Sequence, residues 1–277
     1  MPSVRLCMTH HALIELHVWG DPCVVARRVG PHTYFLSAVG PGDLERWRHQ
    51  QVRQSLPATC LGFHLEGPYL NPTMAGALDW RACRPRVRVR ELAALIEVGR
   101  GRVRMMTMAP ELPGAIEGIR WLRRHGVVVS LGHTDATYAQ ARHAIDAGAT
   151  SATHLFNRMR PWHHREPGVI GAVLDDKRVS MQLIADGVHV HPAAVRWAVR
   201  WAGPRRIILT TDNVAGAARA QRLRQRDGAY YTHRGTLAGS ALTLPAAVRN
   251  IVRWTGVDVA QARAMATTQP ARLLEQR

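Results

Sequence analysis

Residues 127–157 (VVVSLGHTDATYAQARHAIDAGATSATHLFN) restrict the fold more than any other stretch of the chain. Val127 to Leu131 is a β-branched, apolar run that stops at Gly132-His133. A helix-like segment follows, with Asp135 placed as its cap and alanine, isoleucine and alanine sharing one face. The chain then reads Ala149-Thr150-Ser151-Ala152-Thr153 into His154. The pattern is strand, helix, strand, with a histidine leaving each strand. Parallel strands joined by a crossover helix end at the same edge of a sheet. His133 and His154 should therefore emerge side by side, at the edge where α/β proteins keep their chemistry. Two neighbouring imidazoles at strand ends begin a metal site.

Strand-like and helix-like segments alternate along all 277 residues, without a tandem repeat, low-complexity tract or linker, and read as one domain over 1–277. Expected strands are 13–19, 33–38, 59–65, 102–108, 127–131, 150–154, 179–184 and 206–210. Amphipathic segments include 42–55, 89–99, 113–125, 136–147 and 192–202, and after a polar loop 243–254, 257–267 and 270–275. The helix over 113–125 is expected to open with Pro113 in its first turn and close at Gly126. Eight β/α units in about 250 residues match a (β/α)8 TIM barrel. A doubly wound open sheet is the competing architecture, and the lack of Gly-x-Gly-x-x-Gly after the first strand counts against its dinucleotide-binding form.

Hydrophobic residues make up 46% of the chain, enough for a large core. No apolar run is long enough to cross a bilayer, and the first twenty residues lack the ordered regions of a secretory leader. The four cysteines, Cys7, Cys23, Cys60 and Cys83, form no Cys-x-x-Cys pair and read as free thiols. A cytoplasmic protein is the expectation. The net charge of +17 is almost all arginine, since Lys177 is the only lysine. Such charge can serve nucleic acid, but the arginines are spread along the chain without the interleaved aromatics of single-strand binders. The local clusters, 81–90 and 219–226, read as solvated faces, and arginine-rich codon usage explains the excess.

Polar residues fall at the expected strand ends. The first strand carries Glu15, His17 and Trp19; the third ends in His64-Leu65-Glu66. His133 and His154 follow the fifth and sixth, Asp186 and His189 the seventh, and Thr210-Thr211-Asp212 the eighth. Glu66, His133 and His154 would give a carboxylate and two imidazoles, an open three-ligand site. Asp212 lies on the strand that neighbours the first in a closed barrel, where it could act as general base. Each residue alone has an ordinary explanation: a core histidine, a loop carboxylate, a turn cap. Their joint placement at one barrel mouth is what points to a site.

The motifs around these residues resemble the amidohydrolase superfamily, and within it the N-acetylglucosamine-6-phosphate deacetylases. They run Gly62-Phe63-His64-Leu65-Glu66-Gly67-Pro68-Tyr69-Leu70, Leu131-Gly132-His133-Thr134, and Thr153-His154-Leu155-Phe156-Asn157. His164-Arg165-Glu166-Pro167-Gly168, Ala185-Asp186-Gly187-Val188-His189, Thr211-Asp212 and Gly235-Thr236-Leu237-Ala238-Gly239-Ser240 complete them. The resemblance implies Glu66, His133 and His154 as ligands of one divalent ion, Zn²⁺ foremost, with Fe²⁺, Mn²⁺ or Co²⁺ as substitutes. It implies Asp212 as catalytic acid/base and His189 as a contact to the scissile amide. Asn157, Arg165 and Leu237 match substrate-facing positions, the arginine in some members reaching the neighbouring subunit of a homodimer. The implied substrate is a phosphorylated N-acetyl amino sugar, deacetylated by water that the ion activates.

Three departures stand out. The superfamily's His-x-His on the first strand reads His17-Val18-Trp19, which leaves His17 as the remnant of a second metal site and favours one ion. The usual Lys-Gly-Ala-His stretch reads Ala75-Gly76-Ala77-Leu78, and Arg158 follows Asn157 where alanine is usual, placing an added cation among the substrate contacts. The family's flanking β-sandwich is expected to be absent. These departures keep open another N-acyl or cyclic amide substrate, or a non-catalytic, arginine-rich binding barrel.

Overall fold

Eight apolar runs form eight parallel strands in sequential order: β1 (Leu13–Trp19), β2 (Thr33–Val39), β3 (Cys60–Glu66), β4 (Val103–Met108), β5 (Val128–Leu131), β6 (Ser151–Ala152), β7 (Ser180–Leu183) and β8 (Ile207–Leu209). The computed structural model describes residues 12–19, 21–29, 33–50, 56–219 and 221–275. Helices α1 (Pro22–Val29), α2 (Leu44–Gln50), α3 (Val89–Val98), α4 (Ala115–Arg124), α5 (Tyr138–Ala147), α6 (Gly168–Asp175) and α7 (Pro192–Ala202) connect the strands. Helices α8 (Leu244–Thr255), α9 (Val259–Ala264) and α10 (Thr268–Glu275) follow β8. The fold is a (β/α)8 barrel.

Strand alternation sorts the side chains into two cores. Val129 and Leu131 of β5 face outward, against Ile119 and Leu122 of α4 and Ala144 and Ile145 of α5. Ile14, Leu16, Leu36, Met105, Val128 and Ile208 face inward and fill the lower barrel, where Leu273 and Leu274 of α10 join them as a floor. Above them a buried polar layer crosses the interior. His64 Nδ1 meets the Leu16 carbonyl at 3.0 Å and Nε2 the Thr107 hydroxyl at 2.7 Å. Thr107 lies 2.7 Å from Thr153, Thr153 lies 2.7 Å from Ser130, and the Gln182 amide donates to Ser130 and Ser151. Burial, then the charge of His17, pulls the His64 pKa down to about 3, so this histidine is a neutral support for the strands around it.

The seam between β1 and β8 is closed by other means than a regular ladder. Below, the Ile14 and Leu209 amides donate to the carbonyls of Ala266 and Met265, after α9. Above, the Trp19 amide donates to Asn213 O at 2.9 Å. Between them the buried Glu15 carboxylate accepts from Thr210 Oγ1 (2.6 Å), the Thr211 amide (3.0 Å) and the His17 amide (3.0 Å). Both carboxylate oxygens thus accept across the seam, Oε1 from Thr210 and Oε2 from the Thr211 amide, with Oε1 also accepting from the His17 amide of its own strand.

Several boundaries differ from expectation for local reasons. Asp135 does not cap α5: Thr137 does, in a reciprocal pair with Gln140, and Asp135 pairs with Arg160 at 2.9 Å. Helix α4 begins at Ala115, after Gly114 in a left-handed conformation, so Pro113 precedes it, its carbonyl accepting from the Val87 amide. Of the helix expected over 42–55, α2 occupies Leu44–Gln50, and residues 51–55 lie outside the described residues. Helix α6 has all but its last residue buried and no polar face to announce it. The polar loop after β8 contains a small antiparallel sheet, β9 (Arg224–Arg226), β10 (Ala229–Tyr231) and β11 (Leu237–Ser240). Cys23, Cys60 and Cys83 are free thiols; Cys7 and the opening residues up to 11 lie outside the described residues. No helix among the described residues is long and apolar enough to cross a membrane.

One arginine is structural. Arg206, before β8, donates to the carbonyls of Ala202 (3.0 Å), Val173 (3.0 Å), Asp176 (2.7 Å) and Leu174 (2.6 Å). It thereby satisfies the open ends of α6 and α7 with a cation at their negative poles. Arg206→Met is expected to cost about 3 kcal/mol of stability, read as a lowered urea midpoint. Arg206→Lys should recover only part, because an ammonium cannot span these carbonyls as a planar fork does.

Candidate metal centre and active site

The β5–β6 register sets the site. Ser130 pairs with Ser151 and Leu131 with Ala152, so His133 and His154, each two residues further on, leave the barrel level with one another. Both turn into left-handed backbone (φ 48° and 32°), as does Asp212 (φ 47°) after β8. Non-glycine residues held in that region cost of order 1–3 kcal/mol and cluster at functional sites. Glu66, the last residue of β3, points into the same mouth.

The His133 and His154 Nε2 atoms are 3.1 Å apart, and each is 3.0 Å from Glu66 Oε1. His133 Nδ1 lies 2.8 Å from the Met74 carbonyl. A carbonyl only accepts, so Nδ1 carries the proton and Nε2 presents its lone pair. Burial holds the His154 pKa below its usual value, which favours the neutral, ligating form. Burial pushes the Glu66 carboxyl up, but His17 and His133 beside it hold it well below the usual carboxylate range. Three buried lone-pair atoms thus converge on one point, an arrangement that repels itself without a cation. The triangle suits an ion about 2.0–2.1 Å from each ligand. Among the described residues this is the group of His, Cys, Asp and Glu side chains able to hold a metal ion.

His17 sits on the other side of Glu66. Its Nε2 lies 3.3 Å from Glu66 Oε2 and 3.5 Å from Asp212 Oδ1. Burial lowers its pKa, and the Glu66 carboxylate more than reverses this, raising it to about 9. Asp212 Oδ1 accepts a hydrogen bond of 2.9 Å from the Trp19 indole. The Asp212 carbonyl accepts from the Ser240 amide, and Ser240 Oγ donates to the Thr211 carbonyl. Gly239 makes this approach possible: a Cβ there would stand 2.8 Å from the Asp212 carbonyl and 2.4 Å from Val214.

A pocket of about 370 Å³ opens over these residues, within the range of small-molecule sites. Glu66, His133, His154, Asn157, Arg158, His189, Asp212 and Leu237 all line it. Leu78, Ala77 and Met74 complete one wall, and Arg158 is its sole Lys or Arg side chain. Arg165 lies elsewhere, exposed, its guanidinium 3.1 Å from His164 Nε2. The Asn157 amide nitrogen is turned back to the His154 and Leu155 carbonyls.

The sequence reading gave no role to three supporting carboxylates, two of which, Asp186 and Glu166, stand inside its motifs. Asp186 Oδ2 lies 2.6 Å from His189 Nδ1, and Oδ1 accepts from the Val188 and His189 amides, so the ring's outer nitrogen is the one left for the pocket. Glu111 accepts from Asn71 (2.9 Å), Thr134 (2.5 Å) and the Asp135 amide (2.8 Å), tying the loops after β3 and β5 together. Glu166 accepts from the Tyr138 and Gly168 amides. Glu111 carries no local signal that sets it apart from a surface acid.

A model of the amidohydrolase family matches residues 30–276. The chain belongs to the amidohydrolase family. Among curated relatives of this amidohydrolase, the N-acetylgalactosamine-6-phosphate deacetylase of Escherichia coli O157:H7 is 44% identical over 239 residues, 83% of this chain and 63% of that protein. The N-acetylglucosamine-6-phosphate deacetylase of Vibrio furnissii is 40% identical over 224 residues, 78% of this chain and 56% of that protein. The chain thus spans less than two thirds of the length of these relatives. A solved mutant of the Mycobacterium smegmatis N-acetyl-D-glucosamine-6-phosphate deacetylase, in complex with N-acetyl-D-glucosamine-6-phosphate, superposes with a TM-score of 0.85 at 33% identity, covering 95% of this chain and 77% of that one. Family membership makes the enzyme type metal-dependent, in keeping with the Glu66, His133 and His154 cluster.

Proposed function

We propose that this amidohydrolase removes the acetyl group from a phosphorylated N-acetyl amino sugar, an N-acetylhexosamine 6-phosphate. The observation that carries the reading is the convergence of Glu66, His133, His154, His189 and Asp212 on one pocket, in a chain whose relatives are deacetylases of such sugars. Glu66, His133 and His154 would hold one divalent ion, with Zn²⁺ the ion favoured by two imidazoles and a carboxylate. A bound ion supplies Lewis acidity, acidifying water and polarising the amide carbonyl. Asp212 takes the proton from water and returns it to the departing amine. His189, its Nδ1–H held by Asp186, orients the acyl group, and in its doubly protonated form donates from Nε2 to the carbonyl oxygen as charge develops there. Arg158 offers an always-charged, planar fork to the sugar phosphate, where Leu78 supplies only apolar surface.

The test is acetate release by metal-reconstituted protein from the 6-phosphates of N-acetylglucosamine and N-acetylgalactosamine and from both unphosphorylated sugars. Turnover of at least one phosphorylated sugar, well above its parent, is expected. No release from any of the four would end the reading.

Arg165 also belongs to this proposal, as a residue that serves the pocket of a partner subunit. It does not line its own pocket, and Trp162, close to it in sequence, joins an exposed aromatic patch. Trp162, Trp197 and Trp201 are 43%, 36% and 44% exposed, and Phe156 stacks on Trp197 at 5.9 Å. Such a patch favours burial against another surface. Light scattering is expected to give about twice the chain mass of 30.8 kDa, and Trp197→Glu to shift the protein toward monomer. A monomeric wild type would remove Arg165 from the site.

A further inference from the structure

We propose that Trp19 is a positioning residue that pins Asp212 through its indole N–H and, because its ring offers no lone pair where a second metal ion would need a ligand, closes the site to that ion. The inference rests on the function proposed above.

His17 Nε2, Glu66 Oε2 and Asp212 Oδ1 form a short row beside the main cluster, with spacings of 3.3 and 3.5 Å. They have the composition of a metal site: an imidazole and two carboxylate oxygens. The row is looser than the Glu66, His133 and His154 cluster, which is the group able to hold an ion among the described residues, and the fourth group beside it adds no ligand. Trp19 Nε1 lies 2.9 Å from Asp212 Oδ1. An indole nitrogen only donates, so it offers a second cation no lone pair. The bond is charge-assisted when Asp212 is ionised. It occupies Oδ1 and leaves Oδ2 as the oxygen without a donor among the described residues.

The indole is buried and held by its packing. Trp19 is 7% exposed and packs with Ala38, Val214 and Leu78. Gly40 lies so close that a Cβ would stand 2.9 Å from Trp19 Cη2 and 3.3 Å from Leu78 Cδ2. The departures at 19 and 78, far apart in sequence, are therefore one apolar wall beside Asp212. The Trp19 main chain holds the same segment, its amide donating to Asn213 O. Asp212 thus presents one oxygen to chemistry and keeps its left-handed backbone under restraint from both halves of a single residue.

The test counts metal and separates kcat from KM. Dialysis of wild-type protein against excess Zn²⁺, followed by elemental analysis, is expected to give one ion per chain. Trp19→His, which restores an acceptor beside His17, is expected to give two. Trp19→Phe, which keeps an apolar ring and loses the N–H, is expected to bind one ion, lower kcat about tenfold and change KM less than twofold. Two ions in the wild type, one ion in Trp19→His, or a Trp19→Phe kcat within twofold of wild type would each overturn the proposal. The wild-type count needs no variant, so poor folding of either substitution leaves the proposal exposed. It also needs no substrate. If the wild type releases no acetate from any sugar, the proposed function fails while the metal count still decides this inference.

Discussion

Asp212→Asn is expected to lower kcat for acetate release by about 10²–10⁴-fold, the range for loss of a positioned acid/base, with metal content unchanged. Asparagine keeps the shape, and its carbonyl can still accept from the Trp19 indole, which reaches Oδ1 at 2.9 Å. What it loses is the ability to take a proton from water and hand it to the amine. On the proposed reaction KM should change little, because residues other than Asp212 would hold the sugar and phosphate. Single-turnover acetate release together with elemental analysis checks both halves. A fall of less than tenfold would take Asp212 out of proton transfer, and loss of the ion would recast it as a ligand.

Glu66→Gln is expected to abolish metal retention and, with it, activity. Glu66 is the one carboxylate shared by both imidazoles, with Oε1 3.0 Å from each Nε2. It is also the negative charge that faces His17 at 3.3 Å. A neutral amide leaves a cation among buried rings without a counter-charge. The loss of affinity should exceed the roughly 10–100-fold typical of removing a partner outside the ligand set. Elemental analysis after dialysis reads the metal, and the melting temperature should lose its dependence on added Zn²⁺. Retention of a full equivalent by Glu66→Gln would move the ion elsewhere.

The barrel and the clustering of Glu66, His133 and His154 were legible in the sequence because both depend on short-range patterns. Most strands are apolar and β-branched runs, so the expected bounds fall close to those observed, as with 102–108 against Val103–Met108, whereas β6 is only Ser151–Ala152 against the expected 150–154. His133 and His154 follow from strand parity alone, since Leu131 pairs with Ala152. The features that stayed hidden lack such a pattern. Helix α6 is buried nearly all round and has no helical period of polar residues to read. Strand β9 is Arg-Gln-Arg, exposed throughout, and reads as loop. Trp19 and Asp212 stand 193 residues apart, and no local rule joins an indole on the first strand to a carboxylate after the last. The same holds for Glu15, whose partners Thr210 and Thr211 lie across the seam.

That seam also bears on how the protein comes to be folded during synthesis. Its lower half is bridged by the carbonyls of Met265 and Ala266, and the barrel interior is floored by Leu273 and Leu274. All four residues are translated after every strand. Until α9 and α10 have been made, the junction lacks its lower bridge and the barrel its floor. The upper half is served earlier, because Trp19, Glu15, Thr210, Asn213 and Ser240 all precede residue 265. The pocket end of the barrel therefore has its contacts on the chain before the opposite end is sealed.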